Sequence, residues 1–127
     1  MEVVLVTIPS FILRRLYVKG TLKNTDNGFE FQLRNTLGSG YGIKLYPLNV
    51  DGTDIPIENC CYSIDGEDTS FSEVSKEQPF VLAIQKSVTM IGNGIQLHEG
   101  PHKILVSFDV PGLGTLKLDF TDVSPNE

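Results

Sequence analysis

The chain has 127 residues, of which 40% are hydrophobic and 20% charged, and its formal net charge at pH 7 is −6. That length suits one domain with its own core, and the hydrophobic share excludes a disordered chain. Because nucleic acids and anionic membranes repel an acidic protein, we expect neither as a partner.

The start of the chain and its cysteines indicate the compartment. A short apolar stretch precedes Pro9, and positive charge comes after it, at Arg14 and Arg15, whereas a signal peptide carries that charge in front. No run reaches the ~20 apolar residues of a membrane helix. Cys60 and Cys61 are adjacent, so they could join only in a strained ring, and we expect two reduced thiols. These features predict a cytoplasmic protein.

The first third of the chain predicts a hairpin. The segment Pro9–Leu16 allows a helical turn or two, and Leu16–Leu22 then alternates apolar and polar residues as a strand does. Asn24–Gly28 is a turn in which Asn-Gly supplies the positive φ of a tight hairpin. Phe29–Arg34 alternates again, so we expect it to pair with the preceding strand.

The middle of the chain predicts short strands joined by Asp-Gly turns. Ile43–Val50 and Cys60–Ile64 have strand patterns, and the turns fall at Asp51–Gly52 and Asp65–Gly66. Glu67–Gln78 is polar and predicts a surface loop, in which Ser72–Gln78 has room for a helical turn or two.

Longer alternating segments fill the last third. Phe80–Ile91, His102–Val110 and Leu116–Phe120 predict strands, and Pro111–Gly114 predicts a tight connection. About seven to nine strands with frequent turns are typical of sandwiches and jelly rolls. We therefore predict an all-β fold, a two-sheet antiparallel β-sandwich or jelly-roll-like single domain over residues 1–127, with a frayed tail from about Ser124.

Two segments are candidates for chemistry or recognition. His98, Glu99 and His102 could gather a metal ion, but no helix fixes their spacing, so we expect a solvated turn and no metal.

The loop Gly38–Tyr41, formed by Gly38, Ser39, Gly40 and Tyr41, lacks the Lys-Ser/Thr of a phosphate loop and the spacing of a nucleophile elbow. It is either a flexible connection or a binding loop. No Ser/His/Asp set is apparent, so we predict no catalytic residue.

Several segments spread over nearly the whole chain carry a resemblance to a known family: Ile8–Phe11, Leu13–Gly20, Asn24–Phe31, Asn35–Tyr41, Val50–Gly52, Phe71–Ser75 and Val110–Gly114. Together they resemble the small (β) subunit of bacterial C-glycoside deglycosidases. The resemblance implies a hetero-oligomer with a TIM-barrel-type α subunit that holds a divalent metal, typically manganese. This chain would then need no cofactor of its own.

In that family a 3-oxo-C-glycoside, such as an oxidised flavonoid C-glucoside, loses its C2 proton and eliminates the aglycone across the carbon–carbon bond. The resemblance implies that the α subunit performs this chemistry and that the present chain is the accessory, non-catalytic subunit of a carbon–carbon lyase. The predicted interface residues are Arg14, Arg15, Tyr17 and the loop Gly38–Tyr41, because arginine and aromatic side chains anchor interfaces.

The residues leave three alternative functions open. The chain could be a stand-alone carbohydrate-binding module, although it has no Trp and its four Tyr do not line up on one strand. It could be an accessory domain of a related sugar isomerase or epimerase. It could also be a metal-dependent enzyme that uses His98, Glu99 and His102.

Overall fold

The structure, a computed structural model, describes residues 8–124. Its helical parts are one turn each: α1 (Ser10–Leu13) and three 3-10 helices, Arg14–Leu16, Ile57–Asn59 and Phe71–Glu73. The strands are β1 (Lys23–Asn24), β2 (Gly28–Arg34), β3 (Tyr41–Gly42), β4 (Lys44–Leu45), β5 (Asn49–Val50), β6 (Thr53–Asp54), β7 (Cys60–Ile64), β8 (Glu67–Ser70), β9 (Phe80–Val81), β10 (Ser87–Asn93), β11 (Gly100–Val110) and β12 (Gly114–Ser124). No helix in the described part is long and apolar enough to cross a membrane.

The strands form two main antiparallel sheets. The first has the order β1-β2-β10-β7-β8, and the second has the order β12-β11-β5-β6, with β4 also pairing with β11. A small ribbon joins β3 to β9. The rings of Phe31 on the first sheet and Phe120 on the second lie 5.1 Å apart between centroids, so the inner faces of the sheets meet in one core. The all-β, sandwich-like prediction is confirmed.

Period-two alternation explains the core, because successive side chains of a strand point to opposite faces. In β2, Phe29, Phe31 and Leu33 are buried while the intervening residues are partly or fully exposed. The long β11–β12 hairpin pairs Gly100 with Ser124 at one end and Val110 with Gly114 at the other. The apolar faces of these strands close the sandwich.

The two predicted Asp-Gly turns are present. Asp51 and Gly52 have φ of 51° and 93°, and Asp65 and Gly66 have φ of 53° and 85°. Positive φ at both central residues suits the right-handed twist of hairpin strands, which is why Asp-Gly is favoured there. The second turn leads directly into β8, so the loop predicted from Glu67 begins instead with a four-residue strand.

Three predicted strands are wrong in part. The strand predicted over Ile43–Val50 divides into β4 and β5, and Pro47, which has no amide hydrogen to donate, lies between them. The segment Leu16–Leu22 is irregular, and only Tyr17 forms an isolated bridge, to Leu33. The Thr21 amide donates to the Val18 carbonyl at 3.2 Å, which turns the chain before a ladder can form. The helical turn predicted over residues 9–16 is confirmed by α1 and the 3-10 helix after it.

The strand predicted over Phe80–Ile91 is interrupted in the structure. It divides into β9 and β10 because the Lys86 amide donates to the Ala83 carbonyl and Gln85 takes a φ of 69°. At the end of the chain, Ser124 is 3% exposed within β12, and the rest of the predicted frayed tail lies outside the described residues.

Candidate functional site

The predicted interface arginines have different surroundings. Arg14 donates from Nε to the Asp119 carbonyl at 2.9 Å, and its Nη2 lies 2.9 Å from the Asp119 carboxylate. This ion pair joins the 3-10 helix to the edge strand β12. Arg15 is exposed. Arg14 therefore already has an internal partner, and an interface role for either arginine stays a prediction.

Tyr17 is an internal anchor between the N-terminal segment and β12. Its ring stacks on Phe120 with centroids 3.5 Å apart, and its hydroxyl donates to Asp122 Oδ2 at 2.7 Å. The Leu22 amide donates back to the same hydroxyl at 3.2 Å. Burial, followed by the bond to Asp122, raises the pKa of Tyr17 to about 12. Tyr17 thus stabilises the fold, and its predicted part in an interface is untested.

His102 is buried and has a partner on each ring nitrogen. Its Nδ1 lies 2.7 Å from Asp51 Oδ2, and its Nε2 lies 2.6 Å from the His98 carbonyl. His98 and Glu99 have exposed side chains. Residues 8–124 contain no group of three or more His, Cys, Asp or Glu side chains placed to hold a metal ion. The structure therefore does not bring the three candidate ligands together as a set.

The pair formed by His102 and Asp51 predicts how the free energy of unfolding depends on pH. The bond to Asp51, and next the contact with the His98 carbonyl, raise the pKa of His102 above its ordinary 6.5. The bond from His102, and next that from the Lys103 amide, lower the pKa of Asp51 below its ordinary 3.8. The stabilisation from His102 is complete below about pH 6.5 and is lost as pH rises through its raised pKa. That from Asp51 is complete above about pH 4 and is lost as pH falls through its lowered pKa.

The urea concentration at the unfolding midpoint should therefore be highest between the lowered pKa of Asp51 and the raised pKa of His102. The variant His102→Gln should lose the alkaline part of the dependence, because it has no proton to release there. If His102→Gln kept the wild-type decline above neutral pH, another group would be responsible for it.

The loop Gly38–Tyr41 lies at a cavity between the two sheets. The cavity has a volume of about 240 Å³. Its deep walls are buried apolar side chains from both sheets: Leu33, Leu45, Met90, Val106 and Leu116. Its rim carries Leu37 and Tyr41, whose exposed fractions are 39% and 48%, and Val81 pairs with Tyr41 beside it. The loop is thus the mouth of an apolar cavity.

Asn35 holds this mouth in place. Its Nδ2 donates to the carbonyls of Gly38 and Leu82 at 2.8 and 2.7 Å. Its Oδ1 accepts from the amides of Leu37 and Gly38 at 3.2 and 3.3 Å. The side chain therefore ties the loop to the segment that precedes β10, and its amide group has no hydrogen-bonding capacity left for a ligand.

The lining of the cavity offers mainly apolar contacts. Among the described residues that line the cavity, Ser39 and Tyr41 carry the hydroxyls and Arg34 is the one charged residue. An apolar pocket with few polar groups is the usual form of a small-molecule site. The sequence pointed to the loop but missed Asn35 and the cavity. An Asn ahead of a glycine-rich segment was a usable signal for Asn35, since Asn side chains bond to backbone groups two or three residues on.

A comparison with protein families matches residues 12–124 to the hydroxymethylglutaryl-CoA reductase N-terminal domain family. No curated protein matches the chain. The family match covers nearly all described residues, so it concerns the whole fold rather than one motif.

This match overturns the assignment to the C-glycoside deglycosidases. The predicted function as a lyase's accessory subunit, acting on 3-oxo-C-glycosides, is wrong with it, and neither a carbohydrate-binding module nor an isomerase or epimerase accessory domain is supported. The segments that carried the resemblance have structural roles in this fold. Asn24–Phe31 is a hairpin, Asn35–Tyr41 is a loop held by Asn35, and Val110–Gly114 is a turn with positive φ at Gly112 and Gly114. The TIM-barrel-type α subunit and its manganese were implied by that resemblance alone and stay untested predictions.

Proposed function

We propose, from the premise that this chain belongs to the hydroxymethylglutaryl-CoA reductase N-terminal domain family, that it is a binding domain whose cavity holds an apolar group. The family's description names one domain of a reductase, which supports a role beside a catalytic unit. The cavity is the observation that carries the proposal. Protein interiors are close-packed and contain few voids larger than a water molecule, so a large apolar cavity with a mouth is suited to being filled.

The size of the cavity limits its occupant. A volume of about 240 Å³ exceeds the ~150 Å³ of an apolar cavity that accommodates benzene. It corresponds to about eight groups of the ~30 Å³ that one liquid water occupies. A linear chain of about eight carbons, or a ring with a short substituent, has the matching volume.

A polypeptide partner is a second candidate, favoured by the rim. Leu37, Tyr41 and Val81 are between 39% and 58% exposed, although each is large and apolar. Exposed apolar side chains that cluster around a pocket are typical of protein interaction sites. The catalytic unit of a reductase is the partner that the family description suggests.

We also propose a cytoplasmic location. Cys60 and Cys61 are free thiols. Burial raises the pKa of the Cys60 thiol, which keeps it protonated and unreactive. Two free thiols are typical of a reducing compartment. Fractionation of cells that produce the chain, followed by thiol labelling, tests this location.

The apolar-group proposal is tested by titrating the chain with 1-butanol, 1-hexanol, 1-octanol and 1-decanol. Each added methylene group is expected to tighten binding about fourfold, from the ~0.8 kcal/mol of burying one CH₂. The gain should end near eight carbons, when the cavity is full. Met90 is 1% exposed in the cavity wall, so the NMR signal of its isotope-labelled methyl group should shift on binding. The other methionine, Met1, gives a second signal.

Two matched variants locate the binding. Val110→Phe narrows the cavity from its half-buried rim and should weaken octanol binding, whereas Val123→Phe makes the same change at an exposed position outside the lining and should leave it intact. Thermal unfolding of each variant shows whether it folds. If Val110→Phe does not fold, Leu113→Phe makes a similar addition. Octanol binding that is absent, or that persists unchanged in a folded variant with a narrowed cavity, would overturn the proposal.

A further inference from the structure

We propose that the ligand of this cavity is a medium-chain carboxylate, with its hydrocarbon tail between the sheets and its carboxylate against Arg34. The inference rests on the proposed function and adds the chemical class of the ligand. It follows from where charge is placed around an otherwise apolar pocket.

Arg34 is the cation available at this position. It is the last residue of β2, it is exposed, and it is the one charged residue among the described residues that line the cavity. No described carboxylate lies within ion-pair distance of it, whereas Arg14 is paired with Asp119. In a chain whose net charge is −6, an unpaired arginine at an apolar pocket favours an anionic ligand.

The interior of the cavity decides where the charge of the ligand lies. Its deep walls are aliphatic, and the Asn35 amide uses its donors and acceptors on the loop. A carboxylate placed there would lose its hydration without gaining hydrogen bonds, which is strongly unfavourable. The tail must therefore enter and the headgroup must stay at the rim, where it keeps its water and where Arg34 is the cation of the lining.

Acids with further polar groups are excluded from the interior of the cavity by the same cost of lost hydration. A hydroxymethylglutaryl group carries a hydroxyl and a carboxylate on a short branched chain, and the deep walls offer neither of them a partner. Its burial in this cavity would leave polar groups unsatisfied. We therefore expect 3-hydroxy-3-methylglutarate to bind far more weakly than octanoate, although both are anions.

The test compares octanoate with 1-octanol on the whole chain by calorimetry at neutral pH. Exposed ion pairs contribute about 0.2–1 kcal/mol, so Arg34→Gln should weaken octanoate binding by about 1.4- to fivefold and leave octanol unchanged. Arg34→Lys keeps the charge and should retain most of the preference. Arg15→Gln removes an exposed arginine that does not line the cavity, and it should affect neither ligand. Added salt should weaken octanoate binding selectively.

The outcomes separate this inference from the function on which it rests. If octanol and octanoate both bind but Arg34→Gln affects them equally, or if 3-hydroxy-3-methylglutarate binds as well as octanoate, the carboxylate assignment is wrong and the apolar pocket stands. If neither octanol nor octanoate binds, the proposed function itself is overturned. A fall in octanoate affinity alone supports the assignment, provided that the melting temperature of Arg34→Gln matches that of Arg15→Gln.

Discussion

Replacing Phe31 with alanine is expected to lower the free energy of unfolding by about 3–5 kcal/mol. Phe31 is fully buried in β2, and its ring meets Phe120 of the opposite sheet at 5.1 Å between centroids and Tyr17 at 6.3 Å. Removing the ring loses apolar burial and leaves a cavity at the place where the sheets join. Urea unfolding measures the loss as a lower midpoint at an unchanged slope.

Phe11→Ala is the matched control for this change. Phe11 lies on α1 with 62% of its surface exposed, so its truncation should change stability by no more than about 0.5 kcal/mol. Equal losses from Phe31→Ala and Phe11→Ala would contradict the described core. A smaller slope for Phe31→Ala would indicate a change in the unfolded state or loss of two-state unfolding, and calorimetry would then have to separate the two.

Sequence pattern predicts the sheets where strands are long and one face is buried. In β2, β11 and β12 the inward residues alternate with outward ones, and the Asp-Gly pairs fix two hairpins through positive φ. Both signals are local, because a strand's period and a turn's backbone conformation depend on residues close together in the chain. The fold class follows from them with little further information.

Alternation fails where other contacts replace the ladder. In residues 16–22, Leu22 is buried in the core and Tyr17 packs on Phe120, so apolar and polar residues alternate without a strand. Tyr17 bonds with Asp122, a partner 105 residues away. No window of sequence contains that partner, and the same is true of Arg14 and Asp119.

The cavity could not be predicted for a related reason. Its walls come from α1, β2, β4, β10, β11 and β12, and its mouth comes from the loop Gly38–Tyr41 and the segment around β9. A void is defined by what distant segments leave unfilled, and no residue type marks it. The glycine-rich loop lies at the mouth of the cavity, and its predicted part in binding stays a prediction, but the sequence could not show that a cavity lies beneath it.

Replacing Asn35, which is buried, with alanine is expected to lower the free energy of unfolding by about 2–4 kcal/mol, because three half-buried bonds are lost, each group costs up to about 1–3 kcal/mol without its partner, and water recovers part of this. The carbonyls of Gly38 and Leu82 lose their donor, and the Leu37 amide loses its acceptor. The loop and the segment before β10 should then separate at the mouth of the cavity. Octanol binding should weaken by about tenfold or more, since the rim no longer excludes water.

Asn49→Ala provides the matched control. Asn49 also bonds through its side chain at a turn, to Asp54 and the Gly52 amide, but both bonds are exposed to water. Its loss should cost about 1 kcal/mol or less and leave octanol binding unchanged, because water replaces exposed partners. Urea unfolding and octanol titration measured on both variants decide the matter. An Asn35→Ala variant as stable as Asn49→Ala, or one with wild-type octanol affinity, would show that the loop keeps its position without this side chain.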